Sequence, residues 1–410
     1  MTPPPSWMPR LEPMHSHSSP ELSVQSARGI ILGAISPIRE VEALSLKEGF
    51  GRILAQDVRS PLDVPSHDNA AMDGWALRHG DLSLNHETEL QEVGQALAGT
   101  PFVGRLGPEQ AVRIMTGAVL PSGTDTVVPQ ELVRSFERTG APWICVPPGQ
   151  LHGQHRRQQG EDLRAGDLAL KAGRRLSAAD LGLLASLGLS DIQVRRRLRV
   201  ALLSTGNELR TGGQALDPGS IYDSNRLTLW GLLRGLGVEP IDLGIVRDSR
   251  TALENALGRA STQADVIIST GGVSVGEADF TREVMSCLGE IAFWSIAMRP
   301  GRPMAFGRLR SAWFFGLPGN PVAAMVTYLV LVRDALLQLS GADPQVMLPV
   351  QARSAQAIRK RPGRTEYLRA IVSLAPDGQW EARLTGPQGS GVLRSMSAVS
   401  YTHLTLPTKA

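Results

Sequence analysis

Residues Ala264–Phe280 read ADVIISTGGVSVGEADF. An apolar run opens into a glycine loop and then into a helix-start composition of Glu, Ala and Asp. Such loops bind anions, because bare backbone N–H groups and a helix N-terminus face the ligand. This loop, however, ends in Glu277 and Asp279, where a phosphate loop of the Walker type carries Lys and Ser/Thr. Carboxylates aimed at a phosphate repel it unless a hard cation lies between them, and Mg²⁺ takes one or two carboxylates together with phosphate oxygens and water. The alternative is that the two acids cap the following helix.

Outward from this loop the same rhythm repeats. RVALLSTGNEL (199–209), VEPIDLGIVRD (238–248) and SAWFFGLPGNPVAAM (311–325) are short apolar runs separated by helical segments, DSNRLTLWGLLRGLG (223–237) and SRTALENALGRAS (249–261). Strand alternating with helix predicts a parallel sheet covered by helices on both faces. Two of its strands end in the same triplet, Ser204-Thr205-Gly206 and Ser269-Thr270-Gly271. Ligands of open α/β sheets bind beyond the carboxyl ends of the strands, so both loops are expected to open onto one cleft. Glu208 follows the first triplet and Asp248 follows a third strand, so acids stand at three strand ends, again as metal ligands or as helix caps.

MRPGRPMAFG (298–307) sets Arg299 and Arg302 around Pro300, Gly301 and Pro303. Two guanidinium forks on a stiff turn hold a tetrahedral oxyanion, or they are solvated arginines of a surface turn. GLPGNPVAAM (316–325) reads as a strand end, a turn through Gly319 and Asn320, and a helix with Pro321 at its first position. DNAAMDGWA (68–76) carries Asp68 and Asp73 and is compatible with two Asx turns.

The chain of 410 residues should divide into several domains. Its 42% hydrophobic and 20% charged content is that of an ordinary globular protein. The first 22 residues, rich in Pro, Ser and His, read as a disordered extension without a signal peptide. No apolar run is expected to cross a bilayer, which places the protein in the cytoplasm with no membrane partner. Cys145 and Cys287 lack disulfide or metal spacing and read as inert packing residues. VRRRLRV (194–200) is the densest basic run; with aromatics at 5% and a net charge of +3, it reads as a solvated inter-domain strand rather than a nucleic-acid surface.

The N-terminal part predicts a helix, a short strand and a second helix between Ser23 and Ala55. A small β domain follows, and then a helix over LSAADLGLLASLGL capped by Ser177. The expected division is an elongated N-terminal domain over 23–67 and 157–196, and a β domain over 68–156. An α/β domain covers 197–346 and a C-terminal β domain 347–410.

In colinear order, DNAAMDGWALR, RIMTGAVLPSGTDTVVPQE, GED, VALLSTGNEL, IYDSNR, LGIVRD, STGGVSVGEADF, RPGRPMAFG, GLPGNPVA and QGSG resemble the molybdopterin molybdenumtransferases, the MoeA and gephyrin E-domain family. The resemblance runs from about Ser23 to Val399. It implies four domains, among them a MogA-like α/β domain and a C-terminal β-barrel-like domain, and an elongated homodimer with its cleft between subunits. The implied reaction inserts molybdate into adenylylated molybdopterin, with Mg²⁺-dependent release of AMP. The implied partners are a molybdopterin adenylyltransferase and molybdoenzyme-delivery proteins.

Carried over by motif, the catalytic residues are Asp73, Thr116, Asp162, Glu208, Asp248 and Asp279, with Asp73, Thr116 and Asp162 reaching the cleft of the partner subunit. The metal ligands are Glu208, Asp248, Glu277 and Asp279. The pterin and nucleotide are held by Ser204, Thr205, Gly206, Gly271, Gly272, Ser274, Gly276, Pro300, Pro303, Gly319 and Asn320. Molybdate falls to Arg299, Arg302, Ser390 and one of Arg364 or Arg369. The chain departs from the family where Arg299 and Arg302 replace frequent lysines, where Ala323 replaces a frequent serine, and at Asn207, Gln158 and Gln159. Its ending, SYTHLTLPTKA (400–410), does not resemble the usual closing strands; the expectation is that the true C-terminus is missing or replaced or, if this ending is genuine, that the last domain is incompletely closed and less stable. A scaffold or degenerate member that binds molybdopterin or nucleotide without turnover is the alternative function.

Overall fold

The computed structural model describes residues 21–272, 284, 287–344, 349–360, 362–399 and 401–405. At its centre is a six-stranded sheet made of β1 (Arg199–Thr205), β2 (Glu239–Val246), β3 (Val266–Thr270), β4 (Gly289–Ser295), β5 (Pro303–Leu309) and β6 (Ala312–Leu317), in the order β2-β1-β3-β6-β5-β4. β2, β1, β3 and β6 are parallel, as the alternation of strand and helix requires. The expected parallel core is joined by one reversed strand. β5 runs antiparallel to both β6 and β4. The reason is local: only Arg310 and Ser311 separate β5 from β6, too short a connection for a parallel crossover.

Side chains alternate between the two faces of the sheet, and both faces are covered. Val200, Leu202, Val266 and Ile268 enter one core with Leu229 and Leu233 of a helix over Asn225–Leu236. Ala201, Leu203 and Ile267 enter the opposite core with Leu253 and Leu257 of a helix over Arg250–Gln263. The chain passes from β1 to β2 on one side and then returns to β3 on the other, so the switch in strand order falls between β1 and β3. The carboxyl ends of those two strands are the two Ser-Thr-Gly triplets.

The helix α1 (Val24–Ala34), grouped by sequence with the N-terminal domain, buries Ala27, Ile31 and the following Ile35 in the first of these cores. Arg28 pairs with Asp334, and Gln338 donates to the carbonyls of Leu32 and Ile35 at 2.9 and 3.2 Å, closing the helix C-terminus. The predicted short strand after Pro37 is present as Val41–Ser45, whereas the predicted second helix before Gly49 is a single 3₁₀ turn, Leu46–Glu48. That strand pairs antiparallel with Asp191–Arg195, a partner nearly 150 residues away in the chain. Leu54, Leu170, Leu176, Leu184, Ile192 and Val194 form the core that unites the two halves of this domain. The predicted helix at Ser177 is present over Ala178–Ser186, and Ser177 and Asp180 form a reciprocal capping box.

The β domain is a six-stranded sheet built from segments between Gly74 and Val146, with an apolar cluster on each face. The C-terminal domain is organised on the strand Thr365–Leu374, which pairs with Trp380–Leu384 and with Tyr401–Thr405. The atypical ending thus supplies a strand.

Three further expectations change. Arg196 is not solvated: it donates to both carboxylate oxygens of Asp265, at 2.9 and 3.0 Å, and reaches Glu40. VRRRLRV therefore clasps domains together. Cys145 is buried but Cys287 is exposed, so only the first packs. Finally, the continuous helical run Pro321–Leu339, with a π-helical turn at Tyr328–Val332, is long and apolar enough to span a bilayer. Its apolar side chains, among them Val322, Val326, Leu331 and Leu336, instead fill the α/β core.

Candidate active site at the carboxyl edge of the α/β sheet

Every described chemical motif of the α/β domain lies along one edge of the sheet. β1, β2, β3 and β6 end there, and because β5 runs the other way its start at Pro303 lies there too, opposite Ser295 at the end of β4. From β2 to β5 the edge carries Asp248, Gly206 with Glu208, Gly271 with Gly272, Gly319 with Asn320, and the Arg299–Arg302 turn. Adjacent strands lie about 4.8 Å apart, so the Glu208 strand end and the arginine turn, three strands away, are separated by about 14 Å.

The switch point is tightly built. The Ser204 and Thr270 hydroxyls, both buried, hydrogen-bond across β1 and β3 at 2.9 Å, and the Thr205 hydroxyl donates to the Thr270 carbonyl at 3.4 Å. Gly271 and Gly272 have φ of +85° and +66°, the left-handed region that glycine tolerates. The chain turns there because it must clear Thr205: a Cβ on Gly271 would lie 2.5 Å from the Thr205 carbonyl oxygen. Gly319 packs against Gly271, and its carbonyl accepts from Asn225 Nδ2 at 2.6 Å. Asn320 is exposed at the cap position and its side chain makes no capping bond.

Glu208 folds back over Gly206, and the Asn207 side chain accepts from the Asp248 backbone N–H at 3.2 Å. Two predicted metal ligands therefore stand on adjacent strand ends. The other two, Glu277 and Asp279, and the predicted pterin contacts Ser274 and Gly276, lie outside the described residues. Among the described residues no group of three metal-ligating side chains comes together.

At the other end of the edge, Pro300 and Gly301 are buried beneath the arginine turn. Arg302 Nε donates to Ser295 Oγ at 2.9 Å and lies 2.8 Å from Glu21 Oε1. Met298–Arg299 pairs in parallel with Thr365–Glu366, which brings Arg364 to the same place. Arg364 donates to Glu21 Oε2 through Nε at 2.9 Å and to Oε1 through Nη2 at 2.7 Å. Arg299 is largely exposed, 3.9 Å from Glu366.

Arg369 is elsewhere. It is 1% exposed, and its guanidinium donates to the Ser395 hydroxyl and to the carbonyls of Pro387, Gln388 and Gly389. Desolvation lowers its pKa. These bonds shape the loop whose next residue, Ser390, accepts from the Val322 N–H at 3.0 Å, at the head of the Pro321 helix. Of the two arginines left open by sequence, Arg364 therefore stands beside the Arg299–Arg302 turn, and Arg369 holds the Ser390 loop.

Asp73 and Thr116 are also brought together, in the β domain. The Thr116 hydroxyl and its backbone N–H both donate to Asp73 Oδ1 at 2.7 Å. The hydroxyl bond, then the N–H bond, hold the Asp73 carboxyl below its ordinary pKa. Thr116→Val should raise that pKa toward the ordinary value, and carboxyl ¹³C chemical shifts followed across acid pH will measure it. The sign follows from the depressed folded pKa: the ionised form is favoured, and that preference fades as pH falls through it. Asp162 lies across the domain junction, its N–H donating to the Val64 carbonyl at 3.0 Å. Nearby Asp68 accepts from Arg156 and from the Gln159 N–H, so it orders this junction rather than forming an isolated Asx turn.

Sequence reasoning gave no role to Asn225 or Glu21. Asn225 sits in the quoted IYDSNR segment, but its bond to Gly319 spans 94 residues. Glu21 had no signal, because it lies in a stretch read as disordered.

Three family profiles match the chain: the MoeA N-terminal region (domain I and II) over residues 22–188, the "Probable molybdopterin binding domain" over 201–338, and the MoeA C-terminal region (domain IV) over 351–398. The chain belongs to the MoeA family. A molybdopterin molybdenumtransferase of Haemophilus influenzae is 42% identical over 370 residues, 90% of each chain. One from Nostoc sp. is 37% identical over 386 residues, covering 92% of this chain and 87% of its own. The crystal structure of the molybdopterin biosynthesis MoeA protein from Pyrococcus horikoshii OT3 superposes with a TM-score of 0.82 at 26% identity, over 95% of this chain and 96% of that one. The MoeA architecture, with an α/β domain flanked by β domains, is the one built above from strand ends and loops.

Proposed function

We propose that this protein is a molybdopterin molybdenumtransferase, which inserts molybdate into adenylylated molybdopterin and releases AMP with Mg²⁺. The observation that carries this reading is the single sheet edge. A glycine-lined phosphate cradle and acid-bearing strand ends stand at one end of it, and an arginine corner suited to an oxyanion stands about 14 Å away. That separation suits a long substrate with a nucleotide at one end and its metal-accepting sulfurs toward the other.

The backbone N–H groups around Gly272 and Asn320 face the adenylate phosphate. Glu208 and Asp248 fit the habit of Mg²⁺, which takes one or two protein carboxylates, and when bound it supplies charge neutralisation at that phosphate. Arg299, Arg302 and Arg364 orient molybdate through their forked donors, and the Ser390 loop closes the corner beside the Pro321 helix. Asp73, kept ionised by Thr116, is suited to accept a proton or a cation and not to donate a proton. It belongs to a separate domain, so in this reading Asp73, Thr116 and Asp162 complete the cleft of a second subunit in a homodimer. A molybdopterin adenylyltransferase is the class of partner that supplies the substrate, in the cytoplasm.

The test is AMP release from adenylylated molybdopterin in the presence of Mg²⁺, with and without molybdate. Glu208→Gln and Asp248→Asn should each lower the molybdate-stimulated rate by about 100-fold, with melting temperatures unchanged, since both carboxylates stand at strand ends. AMP release indifferent to molybdate in the intact protein would reject the transferase reading. Nucleotide binding without turnover is the result a scaffold would give.

A further inference from the structure

The corner assigned to molybdate already contains an anion. Glu21 Oε1 lies 2.8 Å from Arg302 Nε and 2.7 Å from Arg364 Nη2, while Oε2 accepts from Arg364 Nε at 2.9 Å. One carboxylate thus engages two guanidinium groups, one of them bidentately, in the way a tetrahedral oxyanion would.

Its position is set by the backbone. The Leu22 N–H donates to the Ser295 carbonyl at 2.9 Å, and the Ala297 N–H donates to the Leu22 carbonyl at 2.8 Å. Leu22 therefore forms a bridge beside Ile296 and packs against the α/β core. The side chains of Arg302 and Arg364 remain 56% and 43% exposed, against 21% for Glu21. A soluble anion can reach both arginines without opening the core.

We propose that Glu21 is the resident counter-anion of this seat, and that a tetrahedral dianion binds by displacing it. The proposal rests on the assignment of molybdate to this corner. Charge supports exchange over simultaneous occupancy. Arg299, Arg302 and Arg364 face Glu21 and Glu366, a net charge of one positive, and displacing Glu21 raises it to two, matching a dianion. Glu21 then sets the concentration at which the seat fills. A tethered competitor reduces apparent affinity by the fraction of time the seat is open. For a part-exposed pairing of this kind that factor is about twofold to fivefold.

The full chain and its Glu21→Gln, Glu21→Asp and Arg364→Gln variants, each checked for unchanged melting, are titrated calorimetrically with molybdate and with sulfate. Glu21→Gln should bind molybdate about twofold to fivefold more tightly than the parent, Glu21→Asp should fall between them, and sulfate should follow the same order. Equal or weaker binding by Glu21→Gln overturns the proposal. If that occurs while Arg364→Gln still weakens binding, the molybdate assignment stands and only the role of Glu21 fails. If Arg364→Gln binds like the parent, the molybdate assignment itself fails, and the proposal with it. Tightened binding in Glu21→Gln, without molybdate-stimulated AMP release in the parent, supports the counter-anion and rejects the transferase reading.

Discussion

Arg369→Met should reduce the stability of the C-terminal domain by about 3 kcal/mol and abolish turnover with it. The guanidinium is 1% exposed and gives bonds to three successive carbonyls, those of Pro387, Gln388 and Gly389, and to Ser395 Oγ. Methionine fills the volume but leaves those acceptors without their shared donor. Its own backbone N–H and carbonyl also pair with the Gln388 side chain, so the loop is gripped from both ends of the residue. Amide hydrogen exchange across Tyr367–Ala370 and residues 386–395 should accelerate by about 100-fold, the equivalent of that free energy. Arg369→Lys should not rescue it, because a single ammonium cannot span three carbonyls as a planar fork does. Retained protection with only a raised KM for molybdate would instead make Arg369 a ligand.

Gly271→Ala has the second-largest expected effect. The new Cβ would stand 2.5 Å from the Thr205 carbonyl oxygen and 2.9 Å from its hydroxyl, at a residue with φ of +85°. The left-handed conformation costs a non-glycine residue about 1–2 kcal/mol, and relieving a collision with main chain costs more. A total near 3 kcal/mol follows. Because β1 and β3 must part to make room, the phosphate cradle is lost as well, and AMP release should fall by about 100-fold. Gly319→Ala is the control. Its Cβ would meet only the Gly271 Cα, at an ordinary 3.8 Å, so unfolding by urea should show a change below about 1 kcal/mol. A Gly271→Ala protein as stable and active as the parent would mean that the switch point is not the site.

Much of the site was legible because its signals are local. A triplet such as Ser269-Thr270-Gly271 after an apolar run marks a strand end, Ser177 marks a helix start, and Pro321 marks a first helical turn. Each depends on the backbone requirements of a few neighbouring residues. The strand–helix alternation extended that logic to a layered α/β domain, and Asp73 and Thr116 were each named once the motifs were recognised in order, though not their mutual bond. The predicted second helix before Gly49 failed for the complementary reason: the long-range pairing of Val41–Ser45 with Asp191–Arg195 holds the chain extended and leaves room only for a 3₁₀ turn.

The sequence by itself determined the strands and helices of the α/β domain, the glycine turns at their ends and the acids and arginines that follow them, since these arise from side-chain periodicity and backbone freedom within short windows. Tertiary structure alone decided that β5 reverses, that α1 docks on a distant core, that Arg369 is buried while Arg364 meets Arg302, and that Glu21 sits between those two. Such outcomes join residues up to 343 positions apart. Which partner a buried charge or an open sheet edge finds is settled by the packing of the whole chain, where desolvation and hydrogen-bond satisfaction are decided together.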